Sequence, residues 1–191
     1  MRRIVFAAAP LVCAAGLLAF LATGRPAAVD DPSTLSIEVD LAARELHVYD
    51  EGSEVTTYRI AVGQPAHPTP QGTFEIRHII WNPRWVPPDS EWAEGRTAAE
   101  PGDPDNPMGR VKIFFREPDY YIHGTNNLES LGNAESHGCL RMANDDVIAL
   151  ARLMMERGGE PRSPNWFKRV INRIRSTREV FLQRPVVLTV K

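Results

Sequence analysis

Charged side chains are absent from residues 4–24, directly after the two arginines that follow Met1. A positive start followed by an apolar run is typical of an export signal and excludes a cytoplasmic protein. Small residues at the end of the run offer a cleavage site, yet the run is also long enough to remain as a membrane anchor. We therefore predict a signal peptide or signal anchor over residues 1–24, followed by a linker over residues 25–34.

Cysteine is scarce, since only Cys13 and Cys139 occur in 191 residues. Cys13 lies in the export segment, so Cys139 has no partner for an intramolecular disulfide in the exported domain. An odd thiol in an oxidising compartment is a liability unless it is buried and inert or serves as a nucleophile. The neighbours of Cys139 decide between these two roles.

Positive charge is scarce in the main body of the chain. Lysine and arginine number 22 against 24 aspartate and glutamate residues, for a formal net charge of −2. Seven of the basic residues, against one acidic residue, fall between Arg162 and Arg184, which leaves the remainder acidic. Nucleic-acid binding requires a basic footprint on the folded domain, so we expect no nucleic-acid partner.

Internal repeats and low-complexity tracts are absent, and the length suits one domain with a proper core. Alternating apolar and polar residues predict strands. These segments are residues 35–39, 45–49, 58–62, 73–77, 111–115, 120–122 and 185–190. Residues 82–109 are rich in Pro, Gly, Asp and Asn and contain Trp85 and Trp92, which predicts a long, ordered loop that faces a substrate.

Two helical segments are predicted near the end of the chain. The first begins at an N-cap-like Asn144 with two acids in its first turn, and it ends at Gly158. Its apolar residues at helical spacing are Val147, Leu150, Ala151 and Met154. The second is a basic amphipathic stretch over about residues 165–182, whose stripe contains Trp166, Val170, Ile171 and Ile174.

Cys139 ends the run Ser136-His137-Gly138-Cys139, and His123 precedes it by 16 residues. An imidazole beside a thiol lowers the thiol pKa toward neutrality and makes it a nucleophile, and either His123 or His137 can serve. In an extended segment His137, Cys139 and Arg141 project from one face, so Arg141 can add positive charge or grip a carboxylate.

The amides of Gly138, Cys139 and Leu140 are candidate donors to a tetrahedral oxyanion. Ser136 points to the face opposite that of His137 and Cys139, and we expect its hydroxyl to form a hydrogen bond with the backbone. The isolated His47, His67 and His78 are interpreted as ordinary side chains.

A metal site is the alternative interpretation, because His123, His137 and Cys139 can supply three ligands to zinc. The closely spaced Cys or His pairs of common zinc sites are absent from the sequence. The metal site is therefore kept as the weaker alternative.

These motifs resemble the signature of the L,D-transpeptidase catalytic domain, the YkuD-like family. The matching segments are Ile122 to Thr125, Ser136 to Met142, Asn144, Val62 to Gly63, Thr69 to Phe74 and Asn106 to Gly109. The resemblance implies a catalytic domain over residues 35–191 with a basic helical insertion near residues 160–184. It also implies a mostly β fold, a two-sheet β-sandwich with one helix after the catalytic cysteine loop and an extra C-terminal amphipathic helix.

The activity that the resemblance implies is acyl transfer on peptidoglycan in the bacterial periplasm or cell envelope. Cys139 would attack the bond before the terminal D-alanine of a stem tetrapeptide, with His123 as base and acid. An amine would then take the acyl group, giving a 3-3 cross-link or attachment of an envelope protein. Membrane contact is expected only through an uncleaved N-terminal segment, and a monomer is expected.

Supporting roles follow from the same resemblance. The Gly124 carbonyl would orient the imidazole, while His137, Gly138 and Ser136 would shape or support the oxyanion site. Arg141 and Asn144 would support the loop or bind the substrate, and the resemblance implies no metal and no organic cofactor. The alternatives are an L,D-carboxypeptidase or endopeptidase with the same site, and a wall-binding module with an inert site. A sortase-like enzyme lacks its Thr-Leu-x-Thr-Cys context here.

Overall fold

The structure is a computed structural model that describes residues 32–191. The predicted export segment and residues 25–31 of the predicted linker lie outside the described residues. The strands are β1 (Leu35–Asp40), β2 (Glu45–Asp50), β3 (Ser53–Arg59), β4 (Val62–Gly63), β5 (Gly72–Trp81), β6 (Val111–Arg116), β7 (Tyr120–Thr125), β8 (Ala134–Ser136), β9 (Leu140–Ala143) and β10 (Arg178–Val190). The α-helices are α1 (Asn144–Arg157) and α2 (Pro164–Asn172).

Two sheets form the fold. The large sheet has eight strands in the order β3-β2-β1-β10-β5-β6-β7-β9, and the small sheet pairs β4 with β8. Ala61, which follows β3, exchanges two backbone hydrogen bonds of 2.9 Å with Arg141 on β9. The two ends of the large sheet are therefore brought together, and the sheet curls around a core. The predicted fold class, mostly β with two sheets, is confirmed.

The core is built from strand residues of alternate parity. Leu35, Ile37 and Val39 of β1 are fully buried, while the residues between them are partly exposed. Helix α1 adds its predicted apolar face, and α2 adds Phe167 and Val170. Each fully buried side chain of this size stabilises the fold by about 1.5–3 kcal/mol. Neither helix of residues 32–191 is long and apolar enough to cross a membrane.

The third strand lies earlier than predicted, at residues 53–59 instead of 58–62. Its side chains are mostly exposed, so apolar alternation does not mark it. Its pairing with β2 defines it instead, from Glu45 opposite Arg59 to Asp50 opposite Ser53. The short strands β8 and β9 were not predicted at all.

The second helix is shorter than predicted. Ser163 caps α2 by accepting a hydrogen bond from the Trp166 amide, and the helix ends at Asn172. Residues 178–182 belong to β10, because Val180 and Leu182 are buried and Phe181 between them is exposed. This period of two is that of a strand, and the segment pairs with β5.

The long loop over residues 82–109 is ordered by a small apolar cluster of its own. Trp85, Ala99 and Met108 are buried together, and Trp92 of the loop and Tyr121 of β7 pack against them. The Asn106 amide ties the loop to itself, since Nδ2 donates to the Pro83 carbonyl at 2.9 Å and Oδ1 accepts from the Met108 amide at 2.9 Å. The loop therefore covers β7 on the side opposite the core.

Candidate active site

The candidate site lies on the face of the large sheet that points away from the core. Ile122 of β7 is buried in the core, so its neighbours Tyr121 and His123 point to the other face. On β9, Arg141 lies directly opposite His123. Extending the same register by one residue places Cys139 opposite Tyr121.

Strand β6 completes this face on the other side of β7. Lys112 lies opposite His123, and Phe114 lies opposite Tyr121. Two cross-strand rows result, and we call them the histidine row and the cysteine row. The histidine row is Lys112, His123 and Arg141, and the cysteine row is Phe114, Tyr121 and Cys139.

The Cys139 thiol is held against the start of β7. Its Sγ donates to the Asp119 carbonyl at 3.4 Å, and the backbone amide and hydroxyl of Tyr121 also interact with the sulfur. Burial raises the pKa of the thiol to about 11, while Tyr121, Lys112 and Arg141 act in the opposite direction. Cys139 therefore rests as a neutral thiol at pH 7.

His123 is almost fully enclosed, with 4% of its surface exposed. Its Nδ1 lies 2.8 Å from the Gly124 carbonyl, an arrangement that assigns the proton to Nδ1 and leaves a lone pair on Nε2. The pKa of the imidazole is lowered to about 3, mainly by burial and also by the charges of Arg141 and Lys112, whereas the Gly124 and Pro107 carbonyls act in the opposite direction. His123 therefore rests neutral, as a base requires.

Within residues 32–191, no hydrogen bond joins His123 to Cys139. The two residues are diagonal neighbours on adjacent strands, because Cys139 lies opposite Tyr121, two residues before His123. Diagonal neighbours on one face lie about 7–8 Å apart, with their β-carbons somewhat closer. Catalytic contacts commonly tighten only when a substrate binds.

Ser136 fixes the turn that carries the cysteine. Its hydroxyl donates to the Cys139 carbonyl and accepts from the Gly138 amide at 3.1 Å. The Gly138 amide, a predicted oxyanion donor, is thus already engaged. Gly138 has φ = 104° and lies so close to the Tyr120 ring that a β-carbon there would be 2.8 Å from it. Only glycine fits this turn without strain.

His137 is held by the long loop and not by the sulfur. Its ring stacks on Trp92 with centroids 4.1 Å apart and lies 4.9 Å from the ring of His67. Burial lowers the pKa of His137, and the nearby His67 and Arg141 lower it further. Among residues 32–191, the His, Cys, Asp and Glu side chains do not gather in a group of three that could hold a metal ion.

Asn144 connects the elements that carry the site. Its Oδ1 accepts from the Arg110 amide at 2.9 Å, and its Nδ2 donates to the Thr125 carbonyl at 3.2 Å and to Asn126 Oδ1 at 2.9 Å. The start of α1 is thereby fastened to the end of β7 and to the chain before β6. These contacts favour support of the loop over direct contact with a substrate.

Three residues at the site were missed from the sequence: Tyr121, Lys112 and His67. Tyr121 is two residues before His123 on the same strand, so the sequence could have placed both side chains on one face. Lys112 becomes visible only when the register between β6 and β7 is known. His67 lies in the loop after β4, and only the folded chain brings its ring next to that of His137.

The chain is similar to known proteins of one family. Residues 35–171 match the family model described as YkuD, the L,D-transpeptidase catalytic domain. A Bacillus subtilis protein named as an L,D-transpeptidase, YkuD, is 34% identical over 145 residues, which are 75% of this chain and 70% of that protein. A Bacillus licheniformis protein of the same name is 34% identical over 128 residues, 66% of this chain and 65% of that protein.

An Escherichia coli protein named as an L,D-transpeptidase, YbiS, is 34% identical over 119 residues. The match covers 58% of this chain and 39% of that protein, so this chain spans well under half of its length. Among solved structures, the L,D-transpeptidase from Mycobacterium smegmatis aligns with a TM-score of 0.49 at 14% identity, over 83% of this chain and 59% of that one.

Proposed function

Because this chain belongs to the YkuD family of L,D-transpeptidase catalytic domains, we propose that it is an exported enzyme that forms an acyl-enzyme on Cys139. The donor is the stem tetrapeptide of peptidoglycan, and the leaving group is its terminal D-alanine. The acceptor is an amine of a second stem, which gives a 3-3 cross-link, or of an envelope protein. The place of action is the bacterial periplasm or cell envelope.

The first half of the reaction uses one proton transfer in each direction. His123 Nε2 takes the thiol proton as Sγ bonds to the carbonyl carbon of the third stem residue. The tetrahedral oxyanion then collapses, the carbon–nitrogen bond breaks, and the imidazolium returns the proton to the departing amine of D-alanine. A thioester on Cys139 remains.

The second half reverses these roles. The acceptor amine attacks the thioester carbon and gives a proton to His123 Nε2. The carbon–sulfur bond breaks, an amide is formed, and the sulfur is reprotonated by the imidazolium. His123 therefore ends the cycle neutral and Cys139 ends it as a thiol.

The resting protonation states support this scheme over a preformed ion pair. The thiol pKa of about 11 and the imidazole pKa of about 3 make proton transfer in the empty site strongly unfavourable. The proton of Cys139 therefore moves to His123 as the sulfur attacks the substrate. Lys112 and Arg141 flank His123 and favour a negative sulfur.

The oxyanion requires donors other than the Gly138 amide, which Ser136 occupies. The Cys139 amide and the Tyr121 hydroxyl are the candidates, because the Tyr121 hydroxyl lies beside the sulfur. Burial raises the pKa of Tyr121, so its phenol stays protonated and able to donate. Ser136 and Asn144 support the loop, and Arg141 contacts the substrate.

One observation carries the proposal: Cys139, His123 and Arg141 share one sheet face in a chain that matches the family over residues 35–171. The test is to incubate the purified protein with a disaccharide tetrapeptide and to identify products by mass spectrometry. Loss of D-alanine together with dimers supports transfer. Loss without dimers indicates an L,D-carboxypeptidase, cleavage of added dimers indicates an endopeptidase, and binding without turnover indicates a wall-binding module.

A further inference from the structure

Lys112 has an unusual position for a lysine, because its side chain leans from the histidine row into the cysteine row. Its Nζ lies 4.4 Å from the centroid of the Phe114 ring and 3.9 Å from that of Tyr121. The ammonium is thus held between two aromatic rings. Tyr121 is the residue directly opposite Cys139. The ammonium of Lys112 therefore contacts the strand neighbour of the nucleophile.

The ammonium has no carboxylate partner. None of the ion pairs within residues 32–191 includes Lys112, and Glu117, an acid on the adjoining turn, is paired with His78 at 2.9 Å. Burial lowers the pKa of Lys112, since its charge is partly removed from water. The faces of the two rings attract the cation and compensate in part for its lost hydration. No carboxylate is therefore in direct contact with the cation, although the charges of Asp119 and Glu117 act on it from a distance.

The two rows contain cations and no acid. Lys112 and Arg141 lie on opposite sides of His123, and the other members of the rows are Phe114, Tyr121 and Cys139. A partly buried positive site of this kind favours an anionic ligand. The donor peptide of the proposed reaction brings one anion that is always near the attacked bond, the carboxylate of the leaving residue.

We propose that Lys112 binds the C-terminal carboxylate of the donor peptide, so that the site selects peptides whose leaving group is a single terminal amino acid. The inference rests on the proposed function. The carboxylate carbon is three bonds from the attacked carbonyl carbon, about one residue of 3.3–3.6 Å along the chain. Tyr121 lies on β7 and Lys112 on β6, and Cys139 directly precedes β9. These neighbouring strands are about 4.8 Å apart, and the ammonium leans back over the Tyr121 ring. A terminal residue that extends from Cys139 across Tyr121 therefore points its carboxylate toward the ammonium.

The test compares two donor tetrapeptides that differ only at the terminus, a D-alanine carboxylate and a D-alanine carboxamide. Charge-assisted hydrogen bonds of about 1.5–3 kcal/mol correspond to about 10- to 150-fold, so the wild-type protein should prefer the carboxylate by that factor in kcat/KM. Lys112→Met, which keeps an unbranched apolar side chain between the rings, should react equally with both peptides. Lys112→Arg should restore part of the preference.

The exposed Lys168 on α2 offers a matched control, and Lys168→Met should retain the wild-type preference. A Lys112→Met protein that still prefers the carboxylate as strongly as wild type would overturn the inference. So would an equal loss for both peptides accompanied by a shifted pH profile of Cys139 alkylation, because Lys112 would then act on the sulfur and not on the peptide.

A binding measurement separates failure of this inference from failure of the proposed function. The Cys139→Ala protein is titrated with N-acetyl-lysyl-D-alanine and with its carboxamide, and the two affinities are compared by calorimetry. Preference for the carboxylate that disappears with Lys112→Met supports the carboxylate site even if no peptide is turned over. Equal affinities in the Lys112-containing protein refute the site, whatever the reaction is.

Discussion

Gly124 and Asn144 are packed so tightly that a β-carbon on Gly124 would collide with Asn144 Oδ1. The same glycine presents its carbonyl to Nδ1 of His123. The group that orients the imidazole is therefore pressed against the residue that begins α1. The backbone of Gly124 is not in the left-handed region, so its need for glycine is purely steric.

Gly124→Ala should consequently destabilise the protein and disturb His123. Besides the collision with Asn144, the added methyl would lie 3.2 Å from Val147 Cγ1, and overpacking of this kind costs about 1–3 kcal/mol. Urea unfolding measures the loss. In the Asn144→Ala background the same change should cost less, because its main obstacle is gone. Equal costs in both backgrounds would contradict the assigned contact.

Cys139→Ala and His123→Ala should each lower turnover of a tetrapeptide donor by at least about 1000-fold, since each removes a group that the acyl transfer needs. Product formation by mass spectrometry gives the rates. Combining the two changes should lower the rate little further, because the two groups act as one unit. A Cys139→Ala protein with wild-type activity would refute the mechanism.

The raised pKa of Cys139 predicts slow alkylation of the empty site. With a pKa of about 11, only about one thiol in 10⁴ is ionised at pH 7. The iodoacetamide rate should rise about tenfold per pH unit from pH 7 to pH 10. In urea the same thiol should level off about two pH units earlier, near its ordinary value of about 8.5. A folded-state plateau below pH 8 would contradict the raised pKa of the half-buried thiol.

Much of the fold, and the shared face of part of the candidate site, could be predicted from local patterns. The alternation of Leu35, Ile37 and Val39 marks β1, and helical spacing marks α1, because each pattern reflects burial on one side of an element. The shared parity of Cys139 and Arg141 likewise predicts one face, as the structure has it.

What local patterns cannot predict is the register between strands. Lys112 belongs to the site only because it pairs with His123 across β6 and β7. Residues 178–182 carry the charges of the preceding amphipathic stretch, so the change of period at Val180 and Leu182 was missed. The bond from Gly138 to Ser136 depends on a turn whose shape the sequence does not reveal.

The stack of Trp92 on His137 predicts a measurable pKa change. Burial is the main cause of the lowered pKa of His137, and Trp92 covers one face of its ring at 4.1 Å. Trp92→Ala should therefore raise the pKa of His137, whereas Trp92→Phe, which keeps a ring there, should change it less. Titration of the imidazole protons by NMR measures both. An unchanged pKa in Trp92→Ala would show that other residues bury His137.

The buried His123 should also make the fold sensitive to acid. Its pKa is about 3 in the folded protein and about 6.5 in the unfolded chain, so the unfolded chain binds the proton more readily. The stabilisation from a neutral His123 is thus complete above pH 6.5 and is lost as the pH falls toward 3, by up to about 1.4 kcal/mol per pH unit. Urea unfolding at pH 7, 6, 5 and 4 measures it. His123→Gln keeps the acids that also titrate, so the difference between the two pH dependences isolates His123. If both proteins lose stability at the same rate, the imidazole is not enclosed as a neutral base, and its assigned role in the reaction fails with it.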